Sequence, residues 1–218
     1  MKTIVITSQK GGSAKTTLTA HLAVEAERTG DGPVWLIDTD KQGTLSRWHD
    51  RRESDTPQRA EIPFRELASG IATLTTRHGA AVCFLDTAPA ISEQSASIIT
   101  LADLVLIPVQ PSPADLWAVA ETIELVKGAG KPFLFVMTKA KPQANITAQV
   151  IAALSHHGPV SQAFIADRVA YATALAGGNT ASELAPKGPA ATEITALWRE
   201  IKSCFHESSK AAKKVKHG

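Results

Sequence analysis

The chain has 218 residues, 44% of them hydrophobic, and its 23 Lys and Arg against 21 Asp and Glu leave a formal net charge of +2. That length can bury one sizeable core, and the small net charge excludes nucleic-acid binding through a global basic field. The two cysteines, Cys83 and Cys204, form no Cys-x-x-Cys pair, and no stretch approaches 18 uninterrupted apolar residues. We therefore expect a soluble, cytoplasmic protein without a disulfide framework, a zinc or iron–sulfur site, or a membrane span.

The chain begins with an apolar strand that leads into a loop of small residues. Ile4-Val5-Ile6 predicts a buried strand, Gly11-Gly12-Ser13-Ala14 a loop, and a helical pattern follows Lys15-Thr16-Thr17. This layout is typical of a phosphate-binding loop, in which backbone N–H groups and the positive helix end hold a polyphosphate. We expect Lys15 to neutralise the phosphates and the Thr16 hydroxyl to ligate Mg²⁺. A tight turn without a ligand is the alternative.

Carboxylates follow two further apolar runs. Residues 34–37 predict a second strand that runs into Asp38-Thr39-Asp40, and residues 81–85 predict a strand that ends at Asp86. Ligands of α/β sheets lie at the carboxyl ends of the strands, so these side chains are expected beside the phosphate loop, where Asp86 would hold Mg²⁺ through water. For Asp40 the alternative is the N-cap of a helix.

The rest of the chain continues the alternation of strands and helices. Further strands are expected at residues 104–109, 132–137 and 160–165, and helices around residues 67–78, 114–126, 143–156 and 190–206. Residues 47–59 are charged and polar; they predict the end of a helix and then an exposed loop. Arg51 and Arg52 are expected on a solvated face, and contact with a partner or DNA is the alternative. We expect one α/β domain over residues 1–207, a mostly parallel twisted sheet with helices on both faces, and a basic tail at 208–218.

Several motifs together resemble the ParA/MinD family of ATPases. Residues 10–17, K-G-G-S-A-K-T-T, are similar to that family's deviant Walker A motif, although Ala14 stands where the family usually has glycine. The run D-T-D-K-Q from Asp38 resembles switch I, with Lys41 in place of the usual proline, and D-T-A-P from Asp86 resembles switch II. Residues 107–116, I-P-V-Q-P-S-P-A-D-L, resemble the corresponding segment of small plasmid-partition ATPases.

The resemblance implies ATP and Mg²⁺ as cofactors and a slow, partner-stimulated hydrolysis of ATP. It implies that Lys10 reaches the phosphates bound in the partner subunit of an ATP-sandwiched dimer. The implied catalytic residues are Lys10, Lys15, Asp38 and Asp40, and the residues implied to support the metal are Thr16, Asp40 and Asp86. The implied nucleotide-binding residues are Lys10, Gly11, Gly12, Ser13, Ala14, Lys15, Thr16, Thr17, Pro111, Thr138 and Lys139, the last two as contacts to adenine.

By the same resemblance the chain is expected to segregate plasmid or chromosomal DNA. The ATP-bound homodimer would bind nucleoid DNA without sequence preference, and a ParB-like centromere-binding protein would stimulate hydrolysis. Arg168 is a candidate DNA or dimer contact, with a helix cap as the alternative, and the basic tail is a candidate DNA contact, with a solvated end as the alternative. A MinD-like or other positioning ATPase acting on a membrane or protein cargo is a rival, although Val215 alone makes a weak membrane anchor. A metabolic ligase resembling dethiobiotin synthetase is another, against which Lys10 argues.

Overall fold

The computed structural model describes residues 1–90, 92–141 and 143–215, with the side chains of the last helix described as far as His206. Within this part of the chain, seven strands form one sheet in the order β3-β2-β4-β1-β5-β6-β7, and every pairing is parallel. The strands are β1 Lys2–Ile6, β2 Val34–Asp38, β3 Gln58–Arg59, β4 Val82–Asp86, β5 Leu104–Val109, β6 Phe133–Ala140 and β7 Ile165–Ala166.

Helices cover both faces of this sheet. They are α1 Lys15–Arg28, α2 Thr44–His49, α3 Leu67–His78, α4 Glu93–Thr100, α5 Pro113–Gly128, α6 Asn145–Ser155, α7 Val169–Ala176, α8 Ala181–Leu184 and α9 Pro189–Val215, with a 3₁₀ turn at Phe64–Glu66. Side chains of a strand alternate between faces, so Ile4 and Ile6 pack in the core beneath α1 and α9, whereas Val5 packs in the core beneath α3 to α6. Both faces are covered, which is why the strands are continuous apolar runs. The predicted α/β fold is confirmed.

The strand predicted at residues 160–165 is wrong for most of its length. Val160 makes only an isolated bridge to Phe135, and β7 begins at Ile165. The carboxylate of Glu200 on α9 accepts hydrogen bonds from the Gln162 N–H at 3.1 Å and the Ala163 N–H at 3.4 Å. These backbone donors are therefore satisfied by a side chain and make no strand ladder.

The segment after α2 differs from the prediction in two respects. Gln58–Arg59 forms the short edge strand β3, which pairs with β2 and was expected to be loop. Arg52 is not solvated: its side chain is 2% exposed, it pairs with Glu183 at 2.8 Å, and its guanidinium lies 4.8 Å from the centre of the Trp48 ring. Arg51 is exposed, as predicted. The ion pair of Arg52 joins the end of α2 to α8.

The last helix is longer than predicted. It runs from Pro189 to Val215, whereas the sequence predicts an end near residue 206. Residues 216–218 and the side chains of the predicted basic tail lie outside the described part of the chain, so the tail's DNA contact stays a prediction. Among the described residues, no helix is both long and apolar enough to cross a membrane.

Candidate functional site

Three strand ends and one loop meet at the middle of the sheet. Asp86 ends β4 and pairs in register with Ile6 of β1 on one side and Asp38 of β2 on the other. The chain passes from β1 to one half of the sheet and later returns to the other half, so this edge is the switch point where α/β sheets bind ligands. A cavity of about 460 Å³ opens here. Its lining residues are Gly11, Gly12, Ser13, Ala14, Lys15, Thr16, Thr17, Asp40, Gln42, Thr44, Thr87, Pro89 and Lys139.

The loop between β1 and α1 presents backbone donors to this cavity. The first N–H that bonds back from α1 is that of Leu18, which donates to the Ala14 carbonyl at 2.9 Å. Among the hydrogen bonds of the described residues, none is donated by the backbone N–H groups of residues 14–17, and α1 has no side-chain cap. The hydroxyl oxygen of Ser13 is also buried without a partner in the described part of the chain. A phosphate group fits these unsatisfied donors and the positive helix end.

Ala14 adopts a left-handed conformation, at the position where the family it resembles usually has glycine. Its φ is 75° and its ψ is 24°, and Gly12 in the same loop has a φ of 73°. This conformation costs alanine about 1 kcal/mol relative to glycine. The alanine therefore preserves the turn of the loop but leaves it under local strain.

Lys15 points along the inside of the loop. Its Nζ lies 3.2 Å from the Ser8 carbonyl oxygen and 3.2 Å from the Lys10 carbonyl oxygen, and the residue is 7% exposed. Burial lowers the pKa of Lys15, while the carboxylates of Asp86 and Asp40 act in the opposite direction. A buried ammonium group lining the same cavity as the loop's N–H groups is suited to neutralising a phosphate.

Thr16 and Asp86 form the candidate metal site. The Thr16 hydroxyl donates to Asp86 Oδ2 at 2.5 Å, and Asp86 is 1% exposed. Burial raises the pKa of Asp86 to about 7; the Thr16 hydrogen bond opposes this shift, and the Asp38 carboxylate adds to it. A divalent cation would stabilise the ionised carboxylate, so the pair fits Mg²⁺. No group of three or more His, Cys, Asp or Glu side chains in the described ranges could hold a metal by itself, so phosphate oxygens and water would complete the shell.

Asp38, which ends β2, and Asp40, two residues later, have different surroundings. Asp40 lines the cavity, and its carboxylate accepts the Gln42 N–H at 2.9 Å. The Asp38 carboxylate accepts the Asp40 N–H at 3.1 Å and both the N–H and the hydroxyl of Ser46, at 2.9 and 3.0 Å. Asp38 therefore joins the loop to the first turn of α2 and lies outside the cavity lining. The alternative that Asp40 caps α2 is wrong, because the N-cap residue is Gly43.

Three residues that the sequence did not single out organise this edge. The N–H and hydroxyl of Thr39 donate to the Asp86 carbonyl at 2.9 and 2.7 Å, and the Thr87 hydroxyl donates to the Ile6 carbonyl at 2.9 Å. Gln110 reaches from the end of β5 to the Gly12 carbonyl at 2.7 Å. Each follows a predicted strand by one or two positions, and that placement was the signal available in the sequence.

Lys10 lies beside the cavity and not in its lining. Its ammonium group pairs with the carboxylate of Asp115, which is 4% exposed in the first turn of α5. Ser112 caps this helix by accepting the Asp115 N–H at 3.1 Å, and Pro113 occupies its first position. Pro111 lies in the same turn and is not among the lining residues of the cavity. The structure thus holds Lys10 against α5 of its own subunit.

Of the remaining residues that were predicted to bind nucleotide or DNA, one lines the cavity and two do not. Lys139 lines the cavity with a positive φ of 48°, whereas Thr138 is fully buried and donates its hydroxyl to the Ser13 carbonyl at 3.1 Å. Arg168 lies at the N-cap position of α7, away from the cavity lining, and pairs with Glu193 at 2.7 Å. Arg168 is thus the N-cap residue of α7, although its side chain makes no capping hydrogen bond, and its predicted DNA or dimer contact stays a prediction.

A larger groove of about 530 Å³ lies elsewhere, between the starts of α7 and α9 and the short helix α8. It is lined mainly by apolar side chains, among them the exposed Val169 and Leu184. Its described lining includes Asp167 and Arg168, but it contains no lysine and none of the aspartates at the ends of the central strands. The smaller cavity is therefore the candidate nucleotide site.

Comparisons with known proteins agree with this geometry. The family model described as "CobQ/CobB/MinD/ParA nucleotide binding domain" matches residues 4–181. The chain is 29% identical over 210 residues to "Maintenance of carboxysome distribution protein A" of Halothiobacillus neapolitanus, covering 91% of this chain and 95% of that protein. It is 30% identical over 128 residues to "Protein ParA" of Rhizobium radiobacter, covering 58% of this chain and 56% of that protein.

A solved structure shows the same fold. The septum site-determining protein MinD of Pyrococcus horikoshii, complexed with Mg-ADP, superposes with a TM-score of 0.75 at 18% identity, covering 92% of this chain and 95% of that one. At this identity the likeness concerns the fold alone, and the family rests on the match to residues 4–181. The chain therefore belongs to the CobQ/CobB/MinD/ParA family of nucleotide-binding domains.

Proposed function

We propose that this chain is an ATPase of the ParA/MinD type that positions a cargo by switching between nucleotide states. One observation carries the proposal: the unpaired N–H groups of residues 14–17 and the Lys15 ammonium line one cavity, at the edge where Thr16 contacts Asp86. A nucleoside triphosphate with Mg²⁺ would supply acceptors for these N–H groups and for the Lys15 ammonium, and a cation for Thr16 and Asp86. Membership of a nucleotide-binding family supports it.

Each residue of the cavity has a distinct task in this proposal. The loop N–H groups and Lys15 bind the β- and γ-phosphates. Thr16 and Asp86 would hold Mg²⁺, which, when bound, would neutralise charge at the transferring phosphoryl group. Asp40 lines the same cavity and orients the attacking water. Asp38 acts indirectly, because it fixes the backbone of Asp40.

Lys10 is proposed to act across a subunit interface. It pairs with Asp115 of its own subunit, so a role at a second subunit's phosphates requires that this ion pair be exchanged for a phosphate contact. Such an exchange makes dimer formation depend on ATP. It also separates this proposal from a metabolic ligase of the dethiobiotin-synthetase kind, which would act without a lysine that crosses between subunits.

Two cargos are candidates, and the relatives favour them unequally. The relative named for carboxysome distribution matches 91% of the chain, which favours a large protein body carried through an adaptor protein. The relative named ParA matches 58% of the chain, and residues 107–116 resemble plasmid-partition ATPases. A replicon carried through a ParB-like centromere-binding protein is therefore the second candidate. In both cases the ATP-bound dimer is proposed to bind nucleoid DNA, which provides the surface along which the cargo is positioned.

Binding to duplex DNA of random sequence tests this proposal. We expect binding with ATP and none with ADP or without nucleotide, and a steep loss of affinity as salt rises, because lysine–phosphate contacts release counterions. Lys15→Ala, which should not bind nucleotide, is the control. Equal DNA binding in all nucleotide states, or none in any, would contradict a nucleotide-switched dimer on DNA. Deleting the gene distinguishes the cargos: clustered protein bodies indicate the first candidate, and loss of a replicon indicates the second.

A further inference from the structure

The hydroxyl of Thr138 fixes the phosphate loop from below. Thr138 lies near the end of β6, is fully buried, and donates to the Ser13 carbonyl oxygen at 3.1 Å. Ser13 is itself 1% exposed, so water cannot readily replace this bond. The two residues are 125 positions apart in the chain. The loop is thus held by a strand that is not adjacent to it in sequence.

This hydrogen bond also sets the direction of a backbone donor. In a planar trans peptide the carbonyl and the following N–H point in opposite directions. A Ser13 carbonyl held down toward β6 therefore turns the N–H of Ala14 up toward the cavity that Ala14 lines. Gln110 holds the Gly12 carbonyl in the same way from the end of β5, at 2.7 Å. Side chains from two strand ends thus orient successive peptide groups of the loop.

Ala14 makes the anchor important in this chain. Its φ of 75° is disfavoured for alanine by roughly fivefold relative to glycine, so the loop populates other conformations more readily than a glycine loop would. The bond from Thr138 forms only when the Ser13–Ala14 peptide lies in the observed orientation. It therefore favours the conformation that the alanine side chain opposes.

We propose that Thr138 is a positioning residue of the phosphate loop, which acts through the Ser13 carbonyl to aim the Ala14 N–H at the nucleotide and to hold Ala14 in the left-handed conformation. This role differs from the adenine contact that the resemblance implies, since the hydroxyl is engaged beneath the loop. The inference rests on the proposed nucleotide site.

Calorimetric titration with Mg-ADP tests it, because ADP avoids the contribution of dimer formation. Thr138→Val keeps the side-chain shape and removes the hydroxyl; we expect affinity to fall roughly fivefold to tenfold, the effect of one buried hydrogen bond. Thr138→Ser retains the donor and is expected to bind within about twofold of the wild type. The matched control is Thr147→Val in α6, which removes a buried hydroxyl bonded to the Lys141 carbonyl at 2.9 Å; neither Thr147 nor Lys141 lines the cavity. It should bind Mg-ADP as the wild type does.

A second substitution separates loop positioning from general stability. In an Ala14→Gly background the left-handed conformation is no longer disfavoured, so the loop depends less on the Thr138 hydrogen bond. The change in log Kd for Mg-ADP caused by Thr138→Val should therefore be less than half of the change in the wild-type background. The amide NMR signal of Ala14 should move on Mg-ADP addition in the wild type and move less in Thr138→Val. Wild-type affinity in Thr138→Val, or an equal loss in both backgrounds, would overturn the inference. A wild-type protein that does not bind Mg-ADP at all would instead overturn the proposed function.

Discussion

His21 should make the stability of the fold depend on pH. It lies in α1, is fully buried, and its Nδ1 lies 2.8 Å from the Thr17 carbonyl oxygen. A carbonyl only accepts, so Nδ1 carries the proton, and Nε2, which has no partner among the described residues, would receive the second one. The ring packs edge-on against Tyr171 of α7 at 5.0 Å. Burial lowers the pKa of His21 from 6.5 to about 4; the Thr17 carbonyl and the Glu183 carboxylate on α8 oppose this shift.

The sign and size of the effect follow from these values. Above pH 6.5 the imidazole is neutral in both the folded and the unfolded chain, so it contributes no pH dependence. As pH falls below 6.5, His21 is protonated in the unfolded chain but stays neutral in the folded chain. The free energy of unfolding therefore decreases. With a folded pKa of about 4, the loss is about 2 kcal/mol at about pH 5 and approaches about 3 kcal/mol below about pH 4.

Urea unfolding of the wild type and of His21→Gln at about pH 7.5, 6 and 5 measures this loss. Other titrating groups contribute equally to both proteins, so the difference between their free energies of unfolding isolates His21. Relative to His21→Gln, the free energy of unfolding of the wild type should decrease by about 2 kcal/mol between about pH 7.5 and pH 5. A difference that stays constant across this range would refute the reasoning from burial.

Further substitutions test other parts of the structure. Lys15→Ala should weaken nucleotide binding by at least tenfold in a calorimetric titration, because it removes the buried ammonium group that lies inside the phosphate loop; unchanged affinity would remove the phosphate-loop assignment. Asp40→Ala should bind ATP and lose most of its turnover in a phosphate-release assay, and wild-type turnover would assign the water-orienting role elsewhere. Arg52→Ala should lower the free energy of unfolding by about 3 kcal/mol because it leaves its carboxylate partner unpaired, whereas the exposed Arg51→Ala should change it by less than about 0.5 kcal/mol. Removing residues 208–218 should weaken DNA binding and flatten its salt dependence, and an identical salt slope would assign DNA contact to the rest of the surface.

The sheet and the centre of the site could be predicted because their signals are local. The strand at residues 104–109 is an uninterrupted apolar run, as a strand covered on both faces must be. The carboxylates at Asp38, Asp40 and Asp86 directly follow such runs, and parallel strands bring their carboxyl ends to one edge. The chain order of these residues was therefore enough to place Asp40 and Asp86 beside the loop, whereas Asp38 lies outside the cavity lining.

The remaining features depend on contacts between distant parts of the chain. Nothing near Arg52 indicates that Glu183 lies beside it, so a charged segment suggested a solvated face. Nothing near residues 160–165 indicates that Glu200 accepts their N–H groups. The family resemblance implied that Thr138 contacts adenine, and nothing in the sequence near Thr138 indicates that its hydroxyl bonds to the Ser13 carbonyl. Such partners become visible only when the chain is folded.

Dependence of the dimer on nucleotide and on Lys10 tests the central claim most directly. Light scattering coupled to size-exclusion chromatography should show a molecular mass of one chain with ADP and two chains with ATP, most clearly in Asp40→Ala, where slow hydrolysis preserves the ATP state. Adding Lys10→Ala to this variant should return it to one chain while ATP still binds. A mass that is the same with ATP and ADP, or a Lys10→Ala protein that dimerises as before, would contradict the account.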